Sequence, residues 1–465
     1  MHPQVAVTTS GAVRGVRTAS GVLAFRGVPY AASTAGAGRF APPQPPAPWS
    51  AERDATAPGP VCPQPARPFS AWAHGPLPAS SDDCLSLNVW TPPGDGPHPV
   101  FVFIHGGGWA LGWGSNPLLD GTHLAAALDA VIVTLNYRLG ALGWLYHPDL
   151  ATDPAAAIGN WGLLDQLAAL RWVAENIAAF GGDPARVTLA GESAGAGSAL
   201  HLLADPEADG LFSRLVAQSP PLHELVIDAD RGIRWTEALI DRVGPIEELR
   251  ESTSPDAIVE ASEELLADPA FRGTRGGAMP ITDPASLPAD PAQHPEARID
   301  VPVLIGTNRD EGTFFFRAGG RRLDPDDARL TEMVAHLAHT DDPDALIQAA
   351  RAAGATDNND VLCAVVTEAW FAGPVARWST ARARAGGTVH RYRIDQPSAE
   401  DDLGATHSLS VPLVFGTWRD GGVPTRLAGD GPDTAATTAA LQRDWRAFVH
   451  GEALGTDTAV YGAPA

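Results

Sequence analysis

Ser193 stands in Gly191-Glu192-Ser193-Ala194-Gly195, between the apolar run Val187-Thr188-Leu189-Ala190 and the Ala- and Leu-rich run that ends at Leu203. A strand, a tight turn and a helix in that order form a nucleophile elbow: small residues two places either side let the turn close, and the serine hydroxyl projects from it. The N–H of Ala194, at the start of the helix, is free to donate to a developing oxyanion. A serine attacks only if a base takes its proton, and an imidazole serves when a carboxylate fixes its tautomer. For an elbow of this kind both partners come later in the chain, acid first and histidine second. Asp310 and Glu311 are adjacent acids after an apolar run, and they cannot both face one imidazole. Of the later histidines, His336, His339, His390 and His450 fall in predicted helices or a strand; His407, in Leu403-Gly404-Ala405-Thr406-His407, follows a strand in a loop. Order alone therefore favours His407 and leaves the acid open. The run His105-Gly106-Gly107-Gly108-Trp109 has no hydrophobic use, so its glycines read as backbone that approaches a ligand and offers N–H groups.

The elements that must hold these residues alternate. Pro99 to Ile104, Ala130 to Leu135, Val187 to Ala190, Val301 to Gly306 and Thr388 to Ile394 read as strands, several apolar enough to be covered on both faces. Between them lie helical stretches, among them one marked by Leu163, Leu167, Leu170, Val173, Ile177 and Phe180. Short strands and glycine turns fill residues 1–48, and 40–78 reads as an extended surface loop held by Trp49, Phe69 and Trp72. The fold class is α/β, with a large, mostly parallel central sheet and helices on both faces. One catalytic domain, 1–465, carries mainly helical insertions at 221–298 and 326–384 that are expected to cover the active site. With Lys+Arg 32 against Asp+Glu 55 and a net charge of −23, neither nucleic acid nor an anionic membrane is an expected partner. The first residues show no basic segment leading into an apolar one, and no apolar run approaches ~18 residues. The expectation is a cytoplasmic protein, with a secreted mature form as the other option. Cys62, Cys84 and Cys363 are too scattered for a zinc site, and neither metal nor cofactor is expected.

The chain resembles the type-B carboxylesterases, the family that contains the cholinesterases and bacterial p-nitrobenzyl esterases. The likeness runs through Phe25-Arg26-Gly27-Val28-Pro29-Tyr30, Asp83 to Trp90, the glycines 106–108, Asn160 to Gln166, Phe180 to Pro184, the elbow, Asn308 to Gly312 and Gly404 to Gly416. It implies an α/β-hydrolase fold in which Ser193 is the nucleophile, Glu311 the acid and His407 the base. The oxyanion hole it implies is formed by Gly107, Gly108 and Ala194. It also implies a Cys62–Cys84 disulfide, against which the reducing compartment argues; Cys363 reads as a small buried hydrophobe. Many relatives carry an acid three places after the histidine. Here that position is Ser410, expected to be the hydroxyl partner of Glu192. Trp109, Trp113 and Trp72 are candidate linings of the substrate pocket, with packing in the core or under the loop as the other reading. The activity implied is hydrolysis of small to medium uncharged esters by a monomer or homodimer. An amidase, carbamate hydrolase or lipase on the same machinery, or a silent binding member, are the alternatives.

Overall fold

The computed structural model describes residues 4–151, 157–268, 271, 279–455 and 458–462. A ten-stranded sheet organises them. Its strands in chain order are β1 (Val16–Arg17), β2 (Leu23–Pro29), β3 (Ser86–Thr91), β4 (His98–Ile104), β5 (Val131–Leu135), β6 (Gly182–Glu192), β7 (Arg214–Gln218), β8 (Val303–Asn308), β9 (Val389–Ile394) and β10 (Thr458–Tyr461). Across the sheet the order is β10-β9-β8-β7-β6-β4-β5-β3-β2-β1. Every pairing from β10 to β5 is parallel, while β3, β2 and β1 continue it antiparallel. A second sheet of three short strands, Val5–Val7, Ala12–Arg14 and Arg53–Asp54, packs beside that edge.

The alternation along β4 explains why the sheet is sandwiched. Val100, Val102 and Ile104 join one apolar cluster, which holds Leu163, Leu167, Leu170 and Val173 of the helix Trp161–Asn176. Phe101 and Phe103 join another, with Leu441, Trp445 and Phe448 of the helix Pro432–His450. All seven β4 residues are buried, and each large apolar side chain so covered contributes roughly 1.5–3 kcal/mol. A strand with two apolar faces can be satisfied only by helices on both sides.

Two segments depart from expectation. The 40–78 stretch is not wholly extended, because Pro68–His74 is helical, with Pro68 at its first turn. The stripe ending at Phe180 is an α-helix to Asn176 and then a 3₁₀ turn, Ile177–Phe180. Segment 221–298 holds helices Ala229–Val243, Ile246–Glu251 and Pro255–Ala267, with 269–270 and 272–278 outside the described residues. Segment 326–384 holds four more helices and, at Thr367–Ala372, a π-helical turn. Among the described residues no helix is long and apolar enough to cross a membrane, and no cluster of three or more His, Cys, Asp or Glu could hold a metal.

The disulfide implied by resemblance is not formed: Cys62 and Cys84 are free, buried thiols, as is Cys363. The hydrogen bond with Cys62 and burial push the Cys84 thiol well up, and Cys62 Sγ accepts from the Leu139 N–H at 3.3 Å. Both sulfurs are shut away from reagent by burial, and the Cys84 thiol in addition resists the ionisation that alkylation needs. All three thiols should resist iodoacetamide in the native protein and take one label each on unfolding without reductant. A crosslinked 62–84 peptide in a non-reduced digest would contradict this.

Candidate active site

The sheet delivers the elbow from β6. Ser193 follows its last residue, caps the helix Ala194–Ala204, and sits at φ 54°, ψ −125°, a strained conformation for a residue with a side chain. Its N–H donates to the Gln218 carbonyl of β7 at 2.8 Å. The flanking glycines are obligatory. A Cβ on Gly191 would lie 2.3 Å from Gly195 carbonyl atoms, and one on Gly195 would lie 2.1 Å from the Ile104 carbonyl oxygen.

Beyond β8 the chain turns through Asn308-Arg309-Asp310-Glu311, and the two acids diverge. Glu311 is fully buried and its Oε2 lies 2.6 Å from His407 Nδ1. Its Oε1 accepts from the Ser219 hydroxyl at 2.6 Å and the Asn308 N–H at 2.7 Å. Asp310 turns away, its Oδ2 accepting from the Arg309 guanidinium and the Ala405 N–H. Because a carboxylate can only accept, His407 Nδ1 carries a proton and Nε2 is left as the basic nitrogen. The rings of Phe314, Phe315 and Phe371 surround the imidazole, with centroids 5.5, 5.5 and 4.8 Å away. The other histidines are elsewhere: His390 is in β9, His336 and His339 are on one helix and its cap, and the His450 Nε2–H donates to the Leu128 carbonyl at 2.8 Å.

Glu192 is buried beside the site, its Oε1 3.4 Å from His407 Nε2. Burial pushes its carboxyl up, partly offset by His407 and by a hydroxyl donor. That donor is Ser408, at 2.8 Å, and not Ser410, whose Oγ is buried with no partner among the described residues. The reason is local. Ser410 begins the helix Ser410–Phe415, whereas Ser408 takes φ 66° directly after His407 and swings back to the carboxylate. Ser408 and Ser219 are the contributors that motif spacing missed: Ser408 adjoins His407 and Ser219 follows β7, but only the local turn directs each hydroxyl.

The glycine run leaves β4 and meets the elbow. Gly107 and Gly108 have φ 117° and 63°, and neither N–H takes an acceptor among the described residues. Ala194, first in its helix, likewise has no intrahelical acceptor for its N–H. His105 braces the loop. Its Nδ1–H donates to the Gly106 carbonyl at 2.8 Å, its ring stacks on Tyr137, and burial pushes its pKa down to about 4, which keeps it neutral.

Ser193, His407, Glu192 and Gly106 to Gly108 line one cavity of about 400 Å³, largely walled by aromatic and aliphatic side chains. The three tryptophans divide. Trp113 lines it. Trp109 is fully buried in the core, with Nε1 donating to Ser198 Oγ at 3.0 Å and its carbonyl accepting from the Gly140 N–H, so it ties the glycine loop to the elbow helix. Trp72 stacks on Phe69 and sits under the Arg426 guanidinium, outside the lining. Pro221 and Leu266 from the first helical segment, and Trp370 and Phe371 from the π-helical turn of the second, complete the wall.

The Carboxylesterase family model matches residues 2–425. The chain is 42% identical to the para-nitrobenzyl esterase of Bacillus subtilis over 323 residues, covering 68% of this chain and 64% of that protein. It is 35% identical to the phenmedipham hydrolase of Pseudarthrobacter oxydans over 459 residues, covering 96% and 89%. A solved PNB esterase superposes with a TM-score of 0.84 at 33% identity, covering 96% of this chain and 90% of that one. Such agreement in sequence and fold makes the sheet an α/β-hydrolase sheet. The chain belongs to the carboxylesterase family, and that membership, with its esterase relatives, supports a carboxylic ester hydrolase activity.

Proposed function

We propose that the protein hydrolyses small to medium uncharged carboxylic esters through an acyl-enzyme on Ser193. The observation that carries this reading is the Glu311–His407 pair, 2.6 Å apart, with the imidazole in the wall of the cavity that Ser193 and the glycine loop also line and the carboxylate buried behind it. His407 Nε2 takes the hydroxyl proton as Ser193 Oγ attacks the carbonyl carbon. The carbonyl oxygen gains the electron pair and is held by the N–H groups of Gly107, Gly108 and Ala194. Collapse of that intermediate expels the alcohol, which leaves with the proton from His407. Water then repeats the sequence against the acyl-enzyme and releases the acid. Glu311 stays ionised throughout, stabilising the imidazolium.

The cavity supports the substrate class. It falls in the range that encloses a small ligand, and its lining is mostly apolar. Among the described residues Arg321, also at the lining, has no carboxylate within salt-bridge distance; it donates to the Ala318 and Phe314 carbonyls and covers the Phe69 ring. A cation there disfavours quaternary ammonium substrates. The test is a panel of p-nitrophenyl esters from acetate to palmitate, with one amide, one choline ester and phenmedipham, compared by kcat/KM. Acetate to butyrate should lead, with palmitate and the choline ester well below. A maximum at palmitate, or amide or choline-ester hydrolysis faster than that of acetate and butyrate, would contradict the reading.

A further inference from the structure

One corner of the cavity is polar where the rest is apolar. Asn116, only 3% exposed, lines it. Its Oδ1 accepts from the Leu118 N–H at 2.9 Å, capping the turn Pro117–Leu119, and this fixes which end of the amide is which. Its Nδ2 takes no acceptor among the described residues and is open to the cavity rather than enclosed, so its N–H groups face whatever fills that corner. His74, at the end of the helix Pro68–His74, lines the same cavity and sets its ring edge-on to Trp113, 5.9 Å between centroids. The Asn116 N–H itself donates to the Trp113 carbonyl at 3.2 Å, so the three residues share one corner. Burial holds the imidazole neutral, its pKa pushed down to about 4. The corner therefore offers a fixed amide donor and a neutral imidazole, and no charge.

The geometry points to Asn116 and His74 as specificity-determining residues that bind a neutral acceptor oxygen, an ether or carbonyl, borne by the ester a few bonds from its reacting carbon. This rests on ester hydrolysis at Ser193. A cation gains nothing from these groups, and a purely alkyl substrate leaves the amide unpaired, which is how a polar pocket rejects an apolar isostere.

Matched esters differing by one oxygen for one methylene test it: 2-methoxyethyl against n-butyl butyrate for the alcohol side, and butyl 3-methoxypropanoate against butyl pentanoate for the acyl side. The readout is the oxygen-to-methylene ratio of kcat/KM in the wild type and in each variant, which cancels intrinsic reactivity. Asn116→Asp keeps the oxygen that caps Leu118 and replaces the donor by an acceptor; it should lower the ratio about tenfold for one of the two pairs. His74→Phe keeps a ring against Trp113 and should lower the same ratio by a smaller factor. Ratios within twofold of the wild type in both variants, for both pairs, would overturn the assignment while leaving the esterase reading intact. A wild type that hydrolyses none of the four esters removes the esterase reading and this one with it.

Discussion

Ser193→Ala is expected to lower kcat on p-nitrophenyl butyrate by roughly five to six powers of ten, as loss of a nucleophile that acts in concert with its base does elsewhere. The fold should survive. The backbone strain at φ 54° is already carried by a residue with a Cβ, and alanine adds nothing that must be accommodated. The Gly191 and Gly195 contacts that close the turn are backbone contacts and remain. Far-ultraviolet circular dichroism and a melting temperature within a few degrees of the wild type would establish that the loss is chemical. Residual activity within tenfold of the wild type would mean that another group attacks the ester.

The second large effect separates two neighbouring acids. Glu311→Gln should cost about three to four powers of ten in kcat. Glu311 uses one oxygen for Ser219 and Asn308 and the other for His407. Glutamine has a single acceptor oxygen. If that oxygen stays with Ser219 and the Asn308 N–H, the amide NH₂ faces Nδ1, and the imidazole must move its proton to Nε2, where a lone pair is needed. Charge stabilisation of the imidazolium is lost as well. Asp310→Asn touches none of this. It weakens the surface pair with Arg309, exposed enough to matter little, and keeps an acceptor for the Ala405 N–H. Its cost should stay below about tenfold. Equal losses in two folded variants would defeat the assignment of Glu311 as the acid.

How much of this was legible depended on whether backbone or side chain decides. The elbow was legible because its requirement is for absent atoms: only glycine fits where a Cβ would lie 2.1–2.3 Å from a neighbouring carbonyl. The strands were legible because runs such as Pro99 to Ile104 have no polar face to leave in water. What was hidden depended on rotations about single bonds in turns. Asp310 and Glu311 are equivalent as letters, and the turn after β8 sends one inward and one to Arg309. Ser408 and Ser410 differ by two places, yet the start of a helix at Ser410 buries one hydroxyl while the positive φ at Ser408 aims the other at Glu192. Trp109 and Trp113 lie one helical turn apart in sequence, but the chain between them is not a helix, so one is driven under the glycine loop and the other faces the cavity. The helix Pro68–His74 escaped notice because seven residues with a leading proline show too little periodicity to mark it.

The most direct test of the account is where a covalent probe lands. A fluorophosphonate imitates the ester at the moment of attack: the serine oxygen bonds to phosphorus, fluoride leaves, and the phosphoryl oxygen occupies the place of the oxyanion. Mass spectrometry of the digested, labelled wild type should find one adduct, on the peptide that contains Ser193, and the Ser193→Ala protein should carry none. An unlabelled wild type, or an adduct on any other residue, would contradict the claim that Ser193 is the activated nucleophile.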